Sequence, residues 1–187
     1  MTSIESASAV RAAVVYESMF GCTEEIARSV ARGLEDAGAT VTLRNVGEAS
    51  AEEIPPFDLL VVGAPTHAFS LSRPSTRHDA VRQGARPAAE LVGLRDWIAA
   101  LGRRQPADGR PFAAFDTRVS RVRHLPKAAA TRAAHLLARQ GYRSIAHPMA
   151  FVVDDLRGPV AEGEPERARR WAQGICRAVA VPKAAAG

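Results

Sequence analysis

Cysteine is almost missing from this 187-residue chain. Cys22 and Cys176 are the only two, too few for a disulfide framework or a four-cysteine metal site. A reducing compartment follows, and the expectation is a cytoplasmic protein. Long hydrophobic runs are missing as well: the apolar stretches have the length of strands, far below the ~20 residues that a membrane helix needs. Met1 to Val10 carry neither the basic cluster nor the apolar run of a secretory leader. Neither G-x-G-x-x-G nor G-x-x-x-x-G-K-[ST] occurs, which excludes the two common glycine-rich nucleotide fingerprints. His67, His78 and His124 stand at no helical ligand spacing and join no carboxylate motif, so no metal is expected.

What remains is ordinary for a globular domain. Hydrophobic residues make up 47% and charged residues 24%, and the length suits one domain over 1–187, with a core from about 11 to 180 and short tails. The net charge is +5. An excess of this sign attracts acidic partners, although an Ala/Arg-rich solvated surface produces it too, because net charge speaks to association and not to fold.

The apolar pattern alternates between two periods. Ala12 to Tyr16 form a short buried-strand run, and Ile26, Ala27, Val30, Ala31 and Leu34 then recur at helical spacing up to Gly38. Val41, Leu43 and Val46 alternate as a second strand, and Phe57 to Ala64 form a third, ended by Pro65. Thr66 to Ala89, broken by Pro74, Gly84 and Pro87, reads as a long functional loop. Leu91, Leu94, Trp97, Ile98 and Leu101 mark a helix, Phe112 to Phe115 a fourth strand, Ala129 to Leu137 a helix, Ser144 to Val153 a fifth strand, and Ala168 to Val179 a last helix. Strands alternating with helices make an α/β, doubly wound, five-stranded parallel sheet with helices on both faces. Ligands in such sheets lie beyond the carboxyl ends of the strands, which singles out the loops after Tyr16, Ala64 and Phe115.

The first of these loops carries the chemistry. Ser18 and Thr23 bracket Gly21 immediately before a helix, whose first N–H groups are unpaired and lie at the positive end of its dipole. Such a turn suits a phosphate, with the glycine allowing close approach and the hydroxyls donating. A plain N-cap at Thr23 and an ordinary turn glycine fit the same residues. Cys22 stands where a helix N-terminus stabilises a thiolate, and it is also a common small packing residue. Cys176, beside Ile175 on a helix face, reads as core.

At Ser18-Met19-Phe20-Gly21-Cys22-Thr23, at Val61-Val62-Gly63-Ala64-Pro65-Thr66-His67 and at Phe115-Asp116-Thr117-Arg118, the chain resembles the flavodoxin family, in an order of strands and loops that covers nearly its whole length. The resemblance implies strand order 2-1-3-4-5 and one non-covalently bound FMN. Ser18, Met19, Phe20, Gly21, Cys22 and Thr23 would hold the phosphate. Pro65, Thr66, His67 and Phe69 would flank one side of the ring, and Asp116, Thr117, Arg118 and Val119 the other. Phe20 and Cys22 depart from the polar residues usual in the family's loop, and no aromatic follows Asp116 to supply the usual stacking Tyr, leaving Phe69 for that role.

The chemistry implied belongs to the flavin, so no side chain is expected to act as nucleophile or general base. The function implied is electron transfer between a reductase and an acceptor. The partners would be redox proteins of acidic surface, with no specific nucleic acid and no membrane. Two alternatives stand beside it: an FMN-dependent NAD(P)H reductase of a quinone or similar small molecule, and a binding module that has lost FMN. Arg73, Arg77, Arg82 and Arg86 in one loop and Arg118, Arg121, Arg123 and Lys127 in the other would surround the ring with positive potential and raise its reduction potential.

Overall fold

A computed structural model describes residues 9–66, 70–87, 91–104, 107–120 and 128–180. The buried run after Val10 forms β1 (Arg11–Tyr16), and helix α1 (Cys22–Asp36) follows it. Then come β2 (Thr40–Asn45), a 3-10 turn at Ala51–Glu53, β3 (Leu59–Pro65), α2 (Pro74–Arg82), α3 (Leu94–Arg104), β4 (Pro111–Val119) and α4 (Ala129–Arg139). The chain ends with β5 (Arg143–Ser144), β6 (Met149–Val153) and α5 (Glu164–Ala180). The sheet is parallel, in the order β2-β1-β3-β4-β5, with β6 also on β4. No helix among the described residues is long and apolar enough to cross a membrane.

Two expectations change. The fifth strand is broken in two. β5 pairs with β4 at Phe112↔Ser144 and β6 resumes at Phe115↔Met149, so more residues lie on the edge than on β4 between these pairs. This is a bulge at a sheet edge, and Pro148, which has no N–H to give a ladder, lies inside it. The segment from Thr66 to Ala89 is also not one loop, because Pro74 starts α2 at the position where a proline's fixed φ and missing N–H are harmless.

Strand alternation divides the core into two layers. Ala13, Val15, Leu60, Val62, Phe112 and Ala114 face α3 and α4, where Leu94, Trp97, Ile98, Ala133 and Leu137 meet them. Ala12, Val14, Leu59, Val61, Ala113 and Phe115 face α1 and α5. Those two helices cross closely at Gly33, where a Cβ would stand 2.2 Å from the carbonyl oxygen of Arg169. Cys176 is buried in this second layer. Ala80 of helix α2 and Ala85 just after it pack on Met19 in a small cluster apart from both layers.

Candidate functional site

The turn from β1 into α1 is held by two residues of opposite habit. Gly21 adopts φ 101°, a left-handed conformation that costs a glycine little, and the space where its Cβ would stand is open to 4 Å. Ser18 Oγ accepts from the N–H of Gly21 at 3.2 Å and from that of Glu24 at 3.3 Å. Both lone pairs of the hydroxyl are thereby taken, so its hydrogen can only donate outward.

The second polar contact joins this turn to β4. Thr23 Oγ1 and Thr117 Oγ1 lie 2.8 Å apart, and both residues are buried. Two hydroxyls sharing one hydrogen bond keep one proton in reserve, so the pair can offer a single donor. Thr117 reaches Thr23 because it continues the parity of Ala113 and Phe115 toward α1.

Between these groups lies a cavity of about 40 Å³, walled by Ser18, Thr23, Pro65, Thr66, Thr117 and Arg118, with Met19, Phe20, Cys22, Val119, Val153 and Leu156 around them. Among the described residues no carboxylate lines it. At roughly 10–15 Å³ per water-sized probe it has room for a few waters. That suits a phosphate, whose charge the first-turn N–H groups of α1 and the two hydroxyl donors would offset. A three-ring heterocycle does not fit inside it and would have to lie at its mouth. Phe20 forms part of the wall without filling the space, and the Arg157 guanidinium sits over its ring at 5.6 Å from the centroid.

The loop residues expected around a ring divide. Thr66 lines the cavity while its Oγ1 accepts from the N–H of Ala129 at 3.2 Å, and Pro65, Thr117, Arg118 and Val119 line it as well. His67 and Phe69 lie outside the described residues, as do Arg121, Arg123 and Lys127. Asp116 is turned away from the cavity. By parity it faces the α3–α4 layer, where its fully buried carboxylate accepts from Arg118 Nε at 2.7 Å, from Arg118 Nη2 at 2.8 Å and from the N–H of Ala130 at 3.0 Å. Met19 is buried under α2. Burial, and after it Glu25, push the Cys22 thiol up, the opposite of a stabilised thiolate.

The basic ring thins out for a related reason. Arg77 is buried and pairs with Asp96 at 3.2 Å, Arg86 pairs with Glu24 at 3.1 Å, and Arg118 is held by Asp116. Carboxylates therefore offset three of the five charges that lie among the described residues. Among the described residues, no group of three His, Cys, Asp or Glu side chains stands together as a metal site.

Glu17 escapes a reading of the sequence altogether. It follows β1 on the parity of Ala13 and Val15, is 1% exposed, and its Oε2 accepts from the N–H of Leu94 at 2.8 Å. Its Oε1 is buried with no hydrogen-bond partner among the described residues. Burial pushes the carboxyl up, and the Leu94 N–H, the Ser72 hydroxyl and Arg77 act against that shift. Val153 and Leu156 were also unforeseen in the wall. They arrive from the far end of the sheet through the broken edge strand, which no local pattern announces.

The 2-1-3-4-5 sheet has counterparts among known proteins. Residues 14–79 match the model of the flavodoxin family. The chain has a flavodoxin-like fold. Solved flavodoxins share the fold. One from the domain Archaea is 16% identical, with 90% of this chain and 98% of that one covered and a TM-score of 0.62. The flavodoxin of Streptococcus pneumonia TIGR4 is 19% identical, with 90% and 99% covered and a TM-score of 0.63. The rubredoxin oxygen:oxidoreductase of Desulfovibrio gigas is 21% identical with a TM-score of 0.64; 90% of this chain is covered, and the flavodoxin-like domain spans 36% of that protein. No match is found among curated proteins.

Proposed function

We propose that this flavodoxin-like domain binds one FMN by its phosphate and carries electrons between a reductase and an acceptor protein in the cytoplasm. The observation that carries the reading is the cradle itself: Ser18 with both lone pairs engaged, the Thr23–Thr117 pair with one proton to spare, and Arg118 at the wall, all around a cavity that no acid lines among the described residues. A dianion is the ligand such a donor set selects. When bound, FMN supplies the ability to take up and give back one or two electrons.

The protein's part is to hold and orient. Ser18 and the first turn of α1 fix the phosphate, Thr23 ties that turn to β4 through Thr117, and Asp116 keeps Arg118 in place by two charge-assisted hydrogen bonds. Pro65, Thr66 and Val119 at the cavity wall, with His67 and Phe69 next along the chain, would border the ring. Met19 and Cys22 serve the loop by packing. No side chain is assigned as nucleophile or general base.

The test is a visible absorption spectrum of the purified protein before and after incubation with FMN, followed by NADPH alone. A carrier gives a flavin spectrum that NADPH leaves oxidised. Rapid bleaching by NADPH without a reductase assigns the domain to an oxidoreductase that acts by itself, and a chain that stays colourless with FMN has lost the cofactor.

A further inference from the structure

Three arginines gather where α2, α3 and α4 begin. Arg73 is the N-cap of α2, Arg95 the second residue of α3 and Arg132 the fourth of α4. Arg77, one turn into α2, reaches Asp96 of α3, which brings the first two helix starts together. α3 and α4 lie side by side on the same core layer. Burial first, then Arg132 and Arg73, hold the Arg95 guanidinium below its ordinary value, and Asp96 and Glu17 act against that shift.

None of the three has an ion pair among the described residues, unlike their neighbours Arg77, Arg86 and Arg118. A cation at a helix N-terminus also opposes the dipole. Three such positions on one surface are thus poorly explained by folding and well explained by an anion that comes from outside. Four residues before Arg95 stands Leu91, 73% exposed and the most exposed large hydrophobic among the described residues. An apolar anchor beside unpaired arginines fits a protein surface better than a small anion or a nucleic acid backbone, neither of which has use for the leucine.

The patch also adjoins the cavity. Leu94, next to Arg95, is held by Glu17, the neighbour of Ser18, and Ala129, one turn before Arg132, is held by Thr66. Resting on the reading of this domain as an electron carrier, we infer that Arg73, Arg95 and Arg132, with Leu91 four residues before Arg95, form the docking surface for a redox partner that presents carboxylates and an apolar contact.

The probe is a fluorescein-labelled peptide of repeated Glu-Glu-Leu-Glu, titrated by anisotropy at low ionic strength. It is compared with a short DNA duplex and with NADPH as a competitor. The triple variant R73Q/R95Q/R132Q should bind the peptide about tenfold more weakly, while R32Q/R103Q/R139Q, with the same change in charge at exposed sites elsewhere, should lose less than about twofold. R132Q alone, exposed and mild, should lose about twofold, and L91S about threefold. Equal losses in the two triples, no peptide binding by the unaltered protein, tighter binding of the duplex, or displacement of the peptide by stoichiometric NADPH overturns the inference. FMN uptake read by absorbance on the same samples separates the two proposals. Failure to take up FMN defeats the electron-carrier reading, and the contrast between the triples still decides the patch.

Discussion

The two helical layers begin their helices in opposite ways. α1 and α5 carry their own acids in the first turn, Glu24 and Glu25 in one and Glu164 and Glu166 in the other. α4 has no acid in its first turn, and Asp96 of α3 is engaged by Arg77. These two helices are capped instead from below, by Glu17 at the end of β1 and by Asp116 in β4. In the first arrangement the acids belong to the helices themselves: Glu25 and Glu166 are exposed, while Glu24 and Glu164 are partly buried and held by Arg28 and Arg86 and by Arg167. The second is buried and tertiary: it fixes where α3 and α4 stand relative to the strand ends, and it leaves their outer surfaces to arginine. Capping from the strands thus serves the site twice, by setting Arg118 at the cavity and by freeing a basic face beside it.

Removing one buried carboxylate is the severest way to break this contrast. Asp116→Ala strands the Arg118 charge and opens the start of α4, and urea unfolding should show a loss of about 3–5 kcal/mol. A loss of only ~1 kcal/mol, typical of an exposed cap, would place both layers in one class. In the α1–α5 layer the sensitive point is steric. Gly33→Ala drives a methyl group against Arg169 and should cost about 1–3 kcal/mol by the same measurement, with FMN affinity unchanged.

The smallest effect is a dependence on pH. Glu17 has its carboxyl raised by burial, so the folded state binds its proton more tightly than the unfolded chain does. Stability from this group is greatest below the ordinary carboxylate pKa and falls as pH climbs through the raised value, by at most about 1.4 kcal/mol per pH unit. Glu17→Gln keeps an acceptor for the Leu94 N–H and removes the titration. Urea midpoints measured from acid to neutral pH should therefore decline less steeply in the variant, and parallel curves would show that Glu17 does not titrate in this range.

Much of this was legible in the sequence. The buried runs at Ala12–Tyr16 and Leu59–Ala64 and the helical stripe from Ile26 to Leu34 are strong periodic signals, and Ser18 and Thr23, singled out around Gly21, line the cavity beyond β1. α2 was hidden because its nine residues bury little beyond Arg77 and Ala80, leaving no stripe to read. The break between β5 and β6 depends on a bulge, for which Pro148 was the sole hint. The caps from Glu17 and Asp116 span 77 and 14 positions. Alternation assigns both residues to the α3–α4 layer, but the helix starts that they meet are set only by the tertiary fold.

The central claim is that the turn after β1 binds a phosphate, and the most direct measurement compares FMN with riboflavin, which has the ring and lacks the phosphate. Titrated against the protein by quenching of flavin fluorescence, FMN should bind one per chain and riboflavin about a hundredfold more weakly, the worth of one to two charge-assisted hydrogen bonds. Thr23→Val should remove most of that preference. Equal affinity for the two flavins, or a preference that survives the substitution intact, contradicts the account.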